Sequence, residues 1–386
     1  MLGIDGQAMN EQIFTNYRLQ LLNQEILGTL VVRNGAIADI QPGVVAQGQN
    51  GDGDYLLPGL VELHTDNLEQ RLSPRPKVHW SLEVAASYHD RDLAAAGITT
   101  VCDAVAIGDI TPTSMRMTQV APMIDAIHRG QTIGRFTVEH RLHLRCELGY
   151  EKTAEVTDTY ADHPLLALIS LMDHTPGQRQ YAQLETYKDY YRGKYGVGQA
   201  ELDDFIRDRR TDQQQFAQKN RQQLVQLSHD RGITLASHDD ATVAHVQEAI
   251  ADGATIAEFP TTLDAAKEAH RYGLNVVMGA PNLVLGGSHS GNVSARELVE
   301  LGLVDIISSD YVPQSLLYAM YLMARIADIP LYEAVKPFTI NPATVIGLAH
   351  DRGSLEVGKQ ADLLLVHDDG VVPRPTAVIR QGQRIA

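Results

Sequence analysis

Short apolar runs alternate with longer amphipathic stretches through most of this chain. The runs are 59-GLVEL-63, 98-ITTVCDAV-105, 136-FTVEHRLHLRCEL-148, 165-LLALISLMD-173, 233-ITLAS-237, 255-TIAEF-259, 275-NVVMGA-280 and 304-VDIISSD-310. Helical patterns fill the gaps, over 82–96, 114–129, 213–231, 241–252, 262–273, 294–302 and 314–327. Near-continuous apolar strands separated by helices predict a parallel sheet covered by helices. Eight such units predict a closed (β/α)8 barrel of the α/β class over residues 57–350. A doubly wound open sheet fits the count almost as well, but no glycine-rich phosphate loop follows the first strand.

The two ends read differently. Residues 16–40 and 353–385 are short apolar runs broken by turn signals such as Asn-Gln and Asn-Gly. They predict a small composite β-sandwich domain made from 12–56 together with 351–386. Residues 176–231 are polar, aromatic-rich and helical in tendency, and are too long for a plain barrel loop. They suit a lid or substrate-contact element and equally a solvated helical hairpin.

Composition narrows the setting. A chain of 386 residues, 44% hydrophobic and 21% charged, suits a globular protein of one large domain plus a small one, or of two ordinary domains. No run approaches the ~18 apolar residues of a membrane span, and the N-terminus lacks a signal-peptide pattern. Cys102 and Cys146 each lie inside a strand-like run, which argues against a disulfide framework and makes the cytoplasm the expected location. A formal charge of −16 argues against nucleic acid or an anionic membrane as the main partner. Arginine nevertheless outnumbers lysine 24 to 8, and several arginines gather beside the strand ends described next. Homo-oligomerisation stays open.

Residues i and i+2 of a strand share a face. His64 and Asp66 therefore project together from the C-terminal end of the first barrel strand, where barrel enzymes place their chemistry. One His-x-Asp is weak alone, because it also occurs in surface turns. Four further runs end alike, however, in Glu147, in His174, in His238 and in Asp310. Imidazole and carboxylate without paired cysteines suit an open catalytic site for one or two divalent ions, Zn²⁺ first, with Mn²⁺ or Fe²⁺ as alternatives. Two ions need an anionic bridge, and no lysine lies at a strand end, so Glu147 is the expected bridge. His64, Asp66 and Asp310 suit one ion, and His174 with His238 the other.

His64-Thr65-Asp66, two later histidines and a final-strand Asp310 resemble the amidohydrolase superfamily of metal-dependent barrel hydrolases. The stretch 353-GSLEVGKQADLLLV-366 fits too, as the segment that rejoins the N-terminal β part. Asp66 departs from the commonest pattern, which has a second histidine there. The strings LPGLVELHTDNLEQRLSPRPK, GITTVCDAVAIGD, EHRLHLRCEL, SLMDHTPGQRQY, ASHDDAT, AEFPTT, MGAPN and GGSHSGN are similar, more narrowly, to diphosphatases of the carbon–phosphorus lyase pathway of phosphonate use. That resemblance runs from about residue 14 to the C-terminus. It implies hydrolysis of a small ribose 5-triphosphate to the 5-phosphate, with release of diphosphate.

A triphosphate ester carries about four negative charges, so the mouth must supply cations. Arg75, Lys77, Arg141, His143, Arg145, Arg179 and His289 are the candidates for phosphate contact. Arg145 comes first, because it shares a strand face with Glu147. Asp310 is the expected acceptor of the proton from the attacking water. Asp239 and Asp240 suit either the ribose hydroxyls or the support of a neighbouring ligand. An amidohydrolase cleaving a C–N bond would use the same metal device, but the arginines disfavour a neutral substrate. A non-catalytic scaffold would have lost some ligand positions, and every slot here holds a competent residue.

Overall fold

The computed structural model describes residues 11–75, 78–108, 116–179, 199–288 and 291–386. Strand β1 (Glu11–Gln20) pairs antiparallel with β2 (Glu25–Arg33), which turns into β3 (Ala36–Pro42). Asn34 (φ 52°) and Gly35 (φ 82°) make that turn, both in the left-handed region a tight hairpin requires. Two short strands, β4 (Gln49–Asn50) and β5 (Tyr55–Pro58), then run parallel to β1. Gly59 carries the chain out of this sheet. Its N–H donates to the Asp362 carbonyl at 2.8 Å, and a Cβ there would lie 2.3 Å from Thr99 Oγ1.

The barrel wall follows in chain order. It consists of β6 (Leu60–Thr65), β7 (Ile98–Ile107), β8 (Glu139–Glu147), β9 (Leu166–Met172), β10 (Thr234–His238), β11 (Ile256–Glu258), β12 (Asn275–Gly279) and β13 (Ile306–Ser308). Each apolar run read from the sequence forms one of these strands. Successive strands pair in parallel, and a bridge between Thr65 and Asp310 brings the last strand back to the first. Leu63, Cys102, Leu168, Ala236, Ile256, Val277 and Ile306, each from a different strand, fill the interior. A second and larger apolar layer joins the outer face of the wall to the surrounding helices.

Three of those helices start on side-chain caps. Thr242 accepts from the amide of His245, Thr262 from that of Ala265 and Ser294 from that of Arg296. The helix Gln199–Arg231 begins well before the expected residue 213. Few of its side chains are apolar and buried (Leu202, Ile206, Ala217 and Leu224), so its polar positions mask the periodicity. Residues 180–198 of the insertion lie outside the described residues. No helix among the described residues is long and apolar enough to cross a membrane.

The C-terminal strands β14 (Leu363–Asp368), β15 (Pro373–Arg380) and β16 (Gln383–Arg384) complete the first sheet, in the order β16-β15-β14-β5-β1-β2-β3. This largely antiparallel sheet has its own core, including Phe14, Leu30, Leu56, Leu363 and Ile379. Arg352 and Arg380 reach from the C-terminal part to Glu139, at the start of β8. The end sheet is thus tied to the barrel near the end away from the mouth.

A buried polar network pins the helix Leu82–Ala95 to the barrel wall. His89 Nε2 and His140 Nδ1 each lie 2.7 Å from one oxygen of Asp103, and Asp90 accepts the amides of Thr137 and Val138. Burial opposes a charge on His140, but Asp103 and Asp90 outweigh it and raise its pKa from 6.5 to about 9. A pKa raised on folding stabilises fully below about 6.5, and that stabilisation is lost as pH rises through about 9. Between pH 6 and pH 9.5 the wild-type melting temperature should therefore fall by roughly 4–8 °C more than that of His140→Gln. Parallel thermal melts at the two pH values check this, and equal falls would remove His140 as the cause.

Candidate metal centre at the barrel mouth

Strained backbone shapes the mouth. Asp239, Phe259 and Asp310 follow the ends of β10, β11 and β13 and take left-handed φ values of 55°, 55° and 54°. Each still donates its N–H across the wall, to the carbonyls of Glu258 (2.9 Å), Val277 (3.0 Å) and His64 (3.1 Å). A non-glycine residue held there costs on the order of 1 kcal/mol or more, and it persists only where the surroundings over-determine it.

Glu62 closes the seam between first and last strands. This fully buried carboxylate accepts from the amides of His64 (2.7 Å) and Ser309 (2.6 Å) and from the Ser308 hydroxyl. It does for the seam what a backbone ladder does elsewhere, and it was not legible as a site-building residue from the sequence.

Imidazoles and carboxylates converge above this seam. Asp239 Oδ2 lies 3.6 Å from His174 Nε2 and 3.4 Å from His238 Nε2. Ligands about 2.0–2.1 Å from a tetrahedral zinc are themselves roughly 3.4 Å apart, so these three atoms have the spacing of donors sharing one ion. Behind them, Glu147 holds His174, taking its backbone N–H at 3.1 Å and standing 2.8 Å from its Nδ1. Glu258 stands 2.7 Å from His64 Nδ1 and 2.6 Å from His238 Nδ1.

Burial opposes charge throughout this group, yet the pairings overcome it. Glu147 and Asp239 raise the pKa of His174 to about 9. Burial would push the Glu258 carboxyl up, but His64, His143 and His238 hold it well below the usual carboxylate range. Asp310 goes the other way: burial raises its pKa, and Asp66 adds to the rise.

The cavity in front measures about 800 Å³ including its open mouth. His64, Arg145, His174, His238, Asp239 and Asp310 line it together with Asn282 and Asn292 and the apolar Phe259, Met278 and Leu285. Arg145 stands between Asp66 (3.9 Å) and His238 Nε2 (3.5 Å), and its buried Nε has no hydrogen-bond partner among the described residues.

Of the expected ligands, His64, His174, His238 and Asp310 line this cavity, and Glu147 and Asp66 stand apart from its lining. Both Glu147 oxygens meet His174, one at its backbone N–H and the other at Nδ1. Asp66 sits at the lip, where it accepts from Gln70 at 3.3 Å and stays outside the converging donors. Asp239, read as a ribose or support residue, stands among the donors instead, and Glu258 was missed. The sign that could have found Glu258 is an acid at the end of the apolar run 255–259, next to a Phe-Pro turn.

Five expected substrate contacts lie outside the cavity lining. Arg141 belongs to the far end of β8, bound to Glu139 at 2.6 Å. His143 is fully buried beneath His64, between the Leu63 carbonyl (3.1 Å) and Ser170 Oγ (2.9 Å), and burial lowers its pKa to about 3. Arg179 and Asp240 are spent on each other, and Arg179 also donates to the His238 carbonyl at 3.1 Å. Arg75 is exposed and outside the cavity lining, whereas Lys77 and His289 lie outside the described residues.

Comparison with known proteins fits this geometry. A family model described as "Amidohydrolase family" matches residues 55–385. The chain is 46% identical over 381 residues to the α-D-ribose 1-methylphosphonate 5-triphosphate diphosphatase of Escherichia coli K12, covering 97% of this chain and 100% of that one. Among solved structures it is similar to N-acetylglucosamine-6-phosphate deacetylase from Pasteurella multocida, with a TM-score of 0.64, 15% identity, and 97% and 100% of the two chains covered. The 5-methylcytosine deaminase from Klebsiella pneumoniae gives 0.65 and 15%, with 97% of each chain covered. At such identities the two structures establish the fold alone.

Gly108 offers a test of the support behind His174. It has φ 121°, and a Cβ there would lie 2.6 Å from Glu147 Cβ. Gly108→Ala should weaken divalent-metal binding by roughly tenfold through the displaced Glu147, with far-UV circular dichroism unchanged. Competition against a chromophoric chelator measures this, and wild-type affinity in the variant would show that Glu147 does not position the ligand.

Proposed function

The chain belongs to the amidohydrolase family, and from that premise we propose that it hydrolyses α-D-ribose 1-methylphosphonate 5-triphosphate to the 5-phosphate and diphosphate. One observation carries the reading beyond end-to-end similarity to a diphosphatase. The donor set of His174, His238 and Asp239 shares a cavity with an arginine whose buried Nε lacks a partner among the described residues. An anionic substrate supplies that partner.

The donor atoms fit a divalent ion by chemistry and by spacing, zinc first, and His174, His238 and Asp239 would hold it, with His64 and Asp310 beside them. When bound, such an ion polarises a phosphoryl oxygen and makes water easier to deprotonate near neutral pH. The chain's own residues supply the rest. Arg145 binds phosphoryl oxygens and offsets their charge. Asp310, at the seam, accepts the proton of the attacking water. The P–O–P bond between the first and second phosphorus breaks, the water oxygen joins phosphorus, and the electron pair leaves with the departing phosphate oxygen.

Purified protein reconstituted with zinc should release diphosphate from this triphosphate and leave an N-acyl amino sugar intact. Turnover of the amide alone would replace the reading with C–N hydrolysis. Arg145→Ala should raise KM by about 10–100-fold, the loss of one charge-assisted contact, with a smaller fall in kcat. Unaltered KM and kcat in steady-state assays would take Arg145 out of the substrate site.

A further inference from the structure

One carboxylate serves two of the mouth histidines at once. Glu258 is 1% exposed and spans His64 on β6 and His238 on β10, with Oε1 2.7 Å from one Nδ1 and Oε2 2.6 Å from the other. The two rings lie nearly parallel, 14° apart, with centroids separated by 6.0 Å. We propose that Glu258 is the positioning residue that fixes the proton on Nδ1 of both rings, leaving both Nε2 lone pairs free for metal. This rests on the metal reading above.

The argument is one of donors and acceptors. An ionised carboxylate can only accept, so each Nδ1 facing it carries the hydrogen, and each Nε2 is left as an acceptor. Arg145, which can only donate, stands 3.5 Å from His238 Nε2, and His64 lines the same cavity. Distances separate this role from direct ligation. The Glu258 separations are hydrogen-bond lengths, whereas the 3.4 and 3.6 Å around Asp239 match ligands sharing an ion. Glu147 supports only His174, so among the described residues Glu258 is the shared support, and it couples the two sides of the mouth.

Glu258→Gln keeps the volume and removes one acceptor. The amide oxygen can hold one ring as before, but the amide NH₂ forces the other to accept at Nδ1 and to carry its proton on Nε2. Long-range ¹H–¹⁵N spectra of metal-free, histidine-labelled protein read this directly, with His64→Gln and His238→Gln spectra supplying the assignments. Wild type should show both rings protonated on Nδ1, and Glu258→Gln should show one protonated on Nε2. Metal affinity by chelator competition should fall by roughly 10–100-fold in the variant. Neutral rings that carry their proton on Nε2 in wild type, or a variant that binds metal as tightly as wild type, would overturn the proposal. If Glu258→Gln does not fold, the wild-type tautomers decide alone. Wild type that takes up no metal would sink the metal reading, while the tautomer result would still judge Glu258.

Discussion

The barrel closes where its chemistry sits. Asp310 donates its N–H to the His64 carbonyl at 3.1 Å, and that bond joins the last strand to the first. Glu62 ties both strands from within by accepting from the amides of His64 and Ser309, and Ser308 Oγ lies 2.9 Å from the same carbonyl. The seam therefore fixes His64 and Asp310 relative to each other as a condition of the fold. A loosened site would be an opened barrel, which explains why a carboxylate as costly to bury as Glu62 is kept there.

The same logic runs round the mouth. Glu62, Glu147, Asp239 and Glu258 are all buried, and each has hydrogen-bonding or oppositely charged groups at hand. Removing one partner would leave an uncompensated buried charge, which is far more disruptive than losing the pair together. The left-handed backbone at Asp239, Phe259 and Asp310 adds strain that these bonds hold in place. The mouth trades stability for fixed positions, whereas the interior below it is ordinary apolar packing.

Much of this was legible in the sequence. The period of apolar runs specifies the barrel, and polar residues just beyond those runs point to the mouth. Height along a strand was less legible. Arg141, His143, Arg145 and Glu147 obey the same i+2 rule, yet six residues of strand span roughly 20 Å. Arg141 thus falls at the far end, His143 in the floor and only the last two at the site. Pairing between distant segments was not legible either, and it diverts Arg179 and Asp240 into each other. Glu258 stayed hidden because one acid in an otherwise apolar run looks like strand, and its role exists only once β6 and β10 stand on either side of it.

Among the described residues two further groups could hold a metal, His64 with His143 and Glu258 at the mouth and His89 with Asp103 and His140 away from it, and the second of these is well suited to test where an ion truly binds. The most direct measurement is diffraction at the zinc absorption edge from crystals reconstituted with zinc. The account predicts an anomalous peak at the mouth, within bonding distance of Nε2 of His174 and His238 and of the Asp239 carboxylate. A peak at the His89–Asp103–His140 cluster with none at the mouth would contradict it.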